Sequence, residues 1–218
     1  MIKEILILAI LGLQVFAIDA SLFINTKRCS KIIDKQIYTV CYDYELKGAR
    51  AVHAVLDGEL VNKTNIKKRP RFYSEKNVPM RARSKYKDYT NSGYDRGHIL
   101  SDASADYDRK VLNKAYSLIN IVPQAPYLNR NSHTWIAAEK LERSTAKRLG
   151  RAEVLNIIIY DETPKRIGAN QIAVPSGFLK AIYNNNKGFA RCFLFKNVNP
   201  TKGAKERLSD FEVSCDSL

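Results

Sequence analysis

The stretch that most constrains this chain is SGYDRGH at residues 92–98, which is followed by NIVPQ at residues 120–124. Gly97 separates an arginine from a histidine, and glycine lets a backbone approach a ligand closely. An imidazole and a guanidinium so placed can contact one phosphate group, with His98 as the base and Arg96 as the clamp. The alternative is a polar turn with a surface ion pair. We favour a catalytic site, because the chain has only three histidines and further features of the same chemistry follow.

The spacing of apolar residues predicts a mixture of strands and helices along the whole chain. Strands are predicted at 36–44, 49–56, 118–122, 154–160, 171–174, 178–183 and 188–195, and helices at 106–117 and 132–149. In the second helix Ser132 is a candidate N-cap and Gly150 a candidate stop. Trp135, Glu139 and Arg143 are four residues apart there, so they lie along one face.

The N-terminal twenty residues have the composition of a secretory signal peptide. A lysine near the front, an apolar run at residues 5–13 and small residues at Ala17 and Ala20 predict cleavage after one of those alanines. An uncleaved anchor is the alternative, and no later stretch is apolar for long enough to cross a bilayer. Residues 21–218 are therefore expected to form one periplasmic or secreted domain without stable membrane insertion.

The four cysteines form two local pairs, Cys29 with Cys41 and Cys192 with Cys215. No Cys-x-x-Cys spacing is present, which argues against zinc and thioredoxin-type sites. Because an exported protein meets an oxidising compartment, we expect both local pairs to be disulfides. Four cysteines allow three connectivities, and four buried thiols are the alternative.

The formal net charge is +14, from 36 Lys+Arg against 22 Asp+Glu, and the basic residues are spread along the chain. This predicts a polyanionic partner. Charge alone does not separate a nucleic acid from an anionic membrane surface or from a contribution to solubility.

Four motifs in one order resemble the DNA/RNA non-specific endonucleases of the ββα-metal type, the family that includes mitochondrial endonuclease G. The motifs are SGYDRGH at 92–98, Asn-Ile-x-Pro-Gln at 120–124, Leu-Asn-Arg at 128–130 and Trp-x-x-x-Glu at 135–139. The match extends from about residue 69 to residue 180. Residues 99–103 (ILSDA) depart from the family's usual Leu-Ala-Pro, and 156–159 (NIII) stand where the family has Gly-Pro.

The resemblance implies an α+β fold, with a central, mostly antiparallel sheet flanked by helices and a ββα-metal finger that carries the active site. It also implies the site residues. The implied catalytic residues are His98, Arg96, Asn120 and Glu139, and the implied substrate-binding residues are Arg143 and, as nearest matches in a basic segment, Arg69 and Arg71.

One divalent ion is expected, and an amide ligand plus waters suits Mg²⁺, with Mn²⁺ as a substitute. The ligand is Asn129 when the family pattern is counted forward from Gln124, and Asn131 when it is counted back from Trp135. A helix that includes Asn131 favours Asn131, because that residue then shares a stripe with Trp135 and Glu139. A helix that begins at Ser132 favours Asn129.

The expected function is hydrolysis of phosphodiester bonds in DNA and RNA, with a neutral His98 as general base. If His98 has an unperturbed pKa of about 6.5, the activity of the protein should fall as the medium is acidified below that value. The alternatives are a basic nucleic-acid-binding protein without catalysis and a relative that has lost activity. A homodimer and an inhibitor protein remain open as further partners.

Overall fold

The computed structural model describes residues 17–199, 205–216 and 218. Most of the predicted signal peptide, residues 1–16, lies outside the described part. Ile18 is buried, and its backbone exchanges hydrogen bonds of 3.2 and 2.9 Å with the side chain of Asn185. Within the described ranges, none of the helices combines the length and the apolar composition that crossing a bilayer requires.

The described part of the chain forms eleven strands and three α-helices. In chain order they are β1 (Lys31–Asp34), β2 (Tyr38–Asp43), β3 (Gly48–Asp57), β4 (Asp95–His98), α1 (Arg109–Ala115), β5 (Ile121–Gln124), α2 (Pro126–Arg130), α3 (Trp135–Leu149), β6 (Arg151–Ile159), β7 (Arg166–Ile167), β8 (Ile172–Ala173), β9 (Gly177–Asn184), β10 (Phe189–Lys196) and β11 (Glu212–Val213). Seven strands form one antiparallel sheet in the order β1-β2-β3-β6-β9-β10-β11, while β4-β5 and β7-β8 form separate pairs. The predicted α+β fold with an antiparallel central sheet is confirmed.

Helix α3 covers one face of the central sheet. Val52, Ala54 and Leu56, which are alternate residues of β3, point towards this face and pack into the large core, as the alternation of side chains along a strand requires. Trp135 and Ala138 extend the core from the helix. The helix ends at Gly150, whose φ of 80° is left-handed, as is common at helix C-termini.

The opposite face of the sheet carries a smaller core cluster, which contains Cys29, Cys41 and Cys192. Both predicted local disulfides are formed, Cys29–Cys41 and Cys192–Cys215, with Cα–Cα distances of 5.0 and 5.5 Å. The first ties the loop before β1 to β2, and the second ties β10 to the segment after β11. Each disulfide therefore fastens one edge of the central sheet.

Two of the differences between predicted and observed bounds bear on the site. The strand predicted at 118–122 is a 3₁₀ turn over Leu118–Asn120 followed by β5, because the Asn120 side chain bonds to neighbouring backbone instead of extending a ladder. The helix predicted from Ser132 begins at Trp135. The preceding residues form a turn in which the Asn131 side chain accepts from the backbone N–H of His133 at 2.8 Å.

Candidate active site

Strands β4 and β5, with the helices α2 and α3 that follow them, form a ββα unit that we call the finger. The two strands pair antiparallel, from Asp95 opposite Gln124 to His98 opposite Ile121. The side chain of Gln124 crosses Gly97, where an added Cβ would lie 2.1 Å from Gln124 Oε1. Glycine at this position therefore makes room for packing inside the finger, whereas the sequence suggested room for a ligand.

His98 ends β4, and its partly exposed ring lies among aromatic side chains. The ring centroids of Tyr116 and Phe72 are 4.8 and 5.5 Å from that of the imidazole. Nε2 is enclosed and has no hydrogen-bond partner among the described residues. Burial lowers the pKa of His98 to about 4, while nearby Asp102 raises it and Arg69 lowers it. The imidazole is therefore neutral at neutral pH and able to accept a proton.

Both candidate arginines before the motif are exposed, but Arg69 is held by ion pairs with Asp102 and Asp106. Nη1 and Nη2 of Arg69 each lie 3.1 Å from Asp106 Oδ2, and Nε lies 3.3 Å from Asp102 Oδ2. The positive charge of Arg69 is close enough to lower the pKa of His98. The structure therefore brings Arg69 and His98 together.

Arg96 lies two residues before His98 in β4, and side chains at this spacing share a face of a strand. Its guanidinium carbon is 3.7 Å from the ring centroid of Tyr86, and Nη2 donates to the Tyr86 carbonyl at 3.0 Å. Its Nε has no partner among the described residues. Arg96 thus lies near His98 on β4, with part of its guanidinium engaged by the turn at Tyr86.

Asn120 is fully buried. Its Oδ1 accepts from the Leu100 N–H at 2.8 Å, and its Nδ2 donates to the carbonyls of Leu100 and Ala115, both at 3.0 Å. All these bonds go to backbone. They fix the position of the backbone directly after His98.

The two candidate metal ligands lie in different local structures. Asn129 belongs to α2, and its Nδ2 donates to Asp95 Oδ2 at 2.9 Å. Since the nitrogen end of this amide faces a carboxylate, its oxygen points away from that carboxylate. Asn131 caps the end of α2, and its Oδ1 is engaged by the backbone of His133. The stripe that favoured Asn131 required it within α3, which begins at Trp135.

Glu139 and Arg143 lie one turn apart on α3, and both are partly exposed. Burial and the charge of Glu142 raise the pKa of Glu139 to about 7, against the lowering effects of Lys180 and Arg143. Nη1 of Arg143 lies 3.3 Å from Ser101 Oγ, in the segment that follows the base. Both side chains therefore stand on the part of α3 that adjoins the chain after β4.

The sequence did not reveal a buried ion pair beneath α3. Lys180 Nζ lies 2.8 Å from Glu142 Oε2 and 4.6 Å from the ring centroid of Trp135, and both charged side chains are fully buried. Ser104 Oγ donates to the other carboxylate oxygen at 2.8 Å. The sequence signal that could have indicated the burial of Glu142 is its position, because it follows the buried Trp135 by seven residues, or two helical turns.

The donor chemistry around the finger fits a hard divalent cation. The described residues contain no group of three or more His, Cys, Asp or Glu side chains arranged to hold a metal. Asn129 offers an amide oxygen whose orientation is fixed by a carboxylate. Glu139 offers a carboxyl group on the next helix. Such oxygen groups suit an ion that keeps most of its waters.

A model of the DNA/RNA non-specific endonuclease family matches residues 22–218. The chain belongs to this family. Human mitochondrial endonuclease G is 27% identical over 163 residues, which are 70% of this chain and 54% of that protein. A mitochondrial nuclease of Saccharomyces cerevisiae is 25% identical over 204 residues, which are 85% of this chain and 62% of that protein. The chain thus spans little more than half the length of these relatives.

The fold is also similar to that of EndoG in a crystal structure of the EndoG/EndoGI complex, which concerns the mechanism of EndoG inhibition. The TM-score is 0.75 at 23% identity, over 85% of this chain and 81% of that chain. This similarity confirms the fold predicted from the motifs, including the ββα arrangement of the site.

The predicted periplasmic or secreted location was wrong. The human and yeast relatives are both named as mitochondrial proteins, as is bovine endonuclease G, which is 28% identical over 155 residues. A lysine followed by an apolar run shows that an N-terminal segment is hydrophobic. It does not identify the membrane or receptor that recognises the segment.

Proposed function

We propose that this chain is a metal-dependent endonuclease that hydrolyses phosphodiester bonds in both DNA and RNA. The observation that carries the proposal is the imidazole of His98 at the end of β4, which lies against the rings of Phe72 and Tyr116 and near the guanidinium of Arg69. A general base must be unprotonated at the working pH, and burial among aromatic rings ensures this. The formal charge of +14 supports a polyanionic substrate.

In this proposal His98 takes a proton from the water that attacks phosphorus, while the bond from phosphorus to the leaving 3′ oxygen breaks and that oxygen takes up a proton from water. Arg69 binds a non-bridging phosphate oxygen, because its guanidinium is already fixed beside the base by two carboxylates. Arg143 and Arg96 bind the phosphate backbone of the nucleic acid on either side of His98. Asn120 keeps the segment after His98 in position through its backbone hydrogen bonds.

Mg²⁺ is the proposed cofactor, with Mn²⁺ as a substitute. Asn129 is the proposed protein ligand, supported by its hydrogen bond to Asp95 and by the separation of Asn131 from α3. The bound ion would stabilise the negative charge that develops on the phosphate and the leaving oxygen. Glu139 would hold the ion's water shell by accepting hydrogen bonds, which would favour its ionised form.

We further propose that residues 21–218 act as a single nuclease domain. A protein inhibitor is a proposed class of partner, since the structural neighbour was crystallised as the EndoG/EndoGI complex. A homodimer stays a prediction from the sequence, and the mass of the protein in solution tests it.

Digestion of plasmid DNA and of a structured RNA, with Mg²⁺ or with EDTA, tests the proposed function. We expect the wild type to cleave both in Mg²⁺ and neither in EDTA, and His98→Ala to lose about 10²–10⁴-fold in rate. Retention of DNA in a gel-shift assay should persist in this variant, because binding depends on distributed charge.

The matched control is His53→Ala. His53 pairs with Glu153 at 2.9 Å, and it lies in β3 on the sheet face opposite α3, so its loss should leave cleavage unchanged. Cleavage by His98→Ala at the wild-type rate would contradict the proposed mechanism. Binding by the wild type without cleavage, in either Mg²⁺ or Mn²⁺, would favour the non-catalytic alternative.

A further inference from the structure

A network of Arg69, Asp102, Asp106 and Tyr116 lies beside His98. Tyr116 Oη donates to Asp102 Oδ2 at 2.8 Å, and the same oxygen lies 3.3 Å from Arg69 Nε. Two further N–H groups of Arg69 reach Asp106 Oδ2, each at 3.1 Å. We propose that Asp102 is a positioning residue of the site, which together with Tyr116 and Asp106 holds Arg69 beside the base. This inference rests on the proposed nuclease function.

The network joins three segments that are distant along the chain. Arg69 lies in the long connection between β3 and β4, Asp102 begins a 3₁₀ turn four residues after His98, and Tyr116 caps the end of α1. Asp102 belongs to the ILSDA segment that departs from the family's Leu-Ala-Pro. The network is therefore a feature of this chain that the family motifs did not predict.

The geometry leaves Arg69 able to bind substrate. A guanidinium has five N–H donors in a planar fork, and three of them are directed at Asp102 and Asp106. Among the described residues nothing else bonds to Arg69, so its remaining donors are available for phosphate oxygens. Since two carboxylates fix the side chain before the substrate arrives, less conformational entropy is lost on binding.

Tyr116 connects this network to the base itself. Its ring lies edge-on to the imidazole of His98, with centroids 4.8 Å apart. Burial and the hydrogen bond to Asp102 raise the pKa of Tyr116, so the hydroxyl keeps its proton and remains a donor. The same residue therefore orients Asp102 through its hydroxyl and confines His98 through its ring.

The network also acts on His98 through charge. Burial is the main cause of the lowered pKa of His98; Asp102 opposes it, and Arg69 lowers the pKa further. The other side chains packed on the imidazole are Phe72, which is uncharged, and Tyr116, which stays neutral. Loss of the Asp102 charge should therefore lower the pKa of His98, whereas loss of the Arg69 charge should raise it.

A nuclear magnetic resonance titration of the full chain tests this without reference to activity. The chain has three histidines, and His98→Ala identifies the signal of His98. Asp102→Asn should lower the pKa of His98 by roughly half a unit or more. This change is smaller than the roughly 1–3 pKa units that a close, fully buried opposite charge produces, because Asp102 is also paired with Arg69. Tyr116→Phe keeps the charge of Asp102 and should leave the pKa of His98 nearly unchanged. Asp161→Asn, at an exposed position, is the control.

Cleavage of a short DNA in Mg²⁺ supplies the second measurement. Asp102→Asn and Tyr116→Phe should each lower kcat/KM, mainly through KM, because Arg69 is held less firmly for the phosphate. The double variant should lose no more than Asp102→Asn alone, since Tyr116 acts through Asp102.

An unchanged titration of His98 in Asp102→Asn would overturn the proposal, as would losses of Asp102→Asn and Tyr116→Phe that simply add. If Asp102→Asn fails to fold, Arg69→Gln must raise the pKa of His98, and the absence of a rise would also overturn it. A wild type that cleaves nothing would refute the proposed function, while the titration would still decide the inference.

Discussion

On the face of the central sheet under α3, the large core includes buried polar side chains, whereas the opposite face carries a smaller cluster with both disulfides. Asn156 and Lys180 are paired across β6 and β9 and are fully buried towards α3. The amide of Asn156 has no partner among the described residues. Their chain neighbours Leu155 and Ala181 lie in the apolar cluster of the other face.

This difference shows how the fold combines a polar site with a stable sheet. Buried polar groups without partners cost roughly 1–3 kcal/mol each, and several of them lie on the face that carries the finger. The disulfides, which stabilise the fold, fasten the sheet edges on the other face. Loss of a disulfide should therefore cost stability without loss of catalysis, whereas substitutions on the α3 face should affect stability, catalysis or both.

The largest effect on stability should come from breaking the buried ion pair on the α3 face. Lys180→Met leaves the carboxylate of Glu142 buried without its cation, and should lower the free energy of unfolding by roughly 3–5 kcal/mol. Urea denaturation measures the change. Lys187→Met, at an exposed position near the end of β9, is the control. A loss below about 1 kcal/mol would show that the pair is not needed for stability.

On the opposite face, loss of a disulfide should cost stability but not activity. Replacing Cys192 and Cys215 by serine should lower the free energy of unfolding by roughly 2–4 kcal/mol, and more than the same change at Cys29 and Cys41, because the longer pair closes 23 rather than 12 residues. The rate of DNA cleavage should be retained. Mass spectrometry of non-reduced peptides checks the pairing, and four alkylatable thiols in the folded protein would refute it.

The two faces also differ in how far the sequence predicted them. The disulfides were predictable because each pair is local and lies in or beside a recognisable strand. The Glu142–Lys180 pair was not, because it joins residues 38 apart whose contact depends on where α3 crosses β9. No periodicity in the sequence specifies that crossing.

Within the finger, the sequence singled out His98 but not its surroundings. His98 stood out as a rare residue within a motif. The helix start was missed because Asn131 forms a local turn that competes with the helix, and Asn120 was assigned to a strand because it lies among apolar residues. The lowered pKa of His98 depends on Phe72 and Tyr116, which reach it from separate segments.

A smaller effect should separate the two asparagines of the finger. Asn129→Ala should raise the magnesium concentration for half-maximal rate about tenfold or more, because the proposed ligand is lost. Asn131→Ala removes a turn hydrogen bond and should change that concentration less than about twofold. Rates across a magnesium titration measure both. If both variants keep the wild-type dependence, the amide-bound metal is wrong.

The dependence of kcat/KM on pH, at saturating Mg²⁺, tests the central claim most directly. His98 works as a base in its neutral form, and burial lowers its pKa from about 6.5 to about 4, so the decline that depends on His98 should appear only as the pH approaches 4. The residual activity of His98→Ala should lack this decline. An identical acidic decline in the wild type and in His98→Ala would contradict the assignment of His98 as the general base.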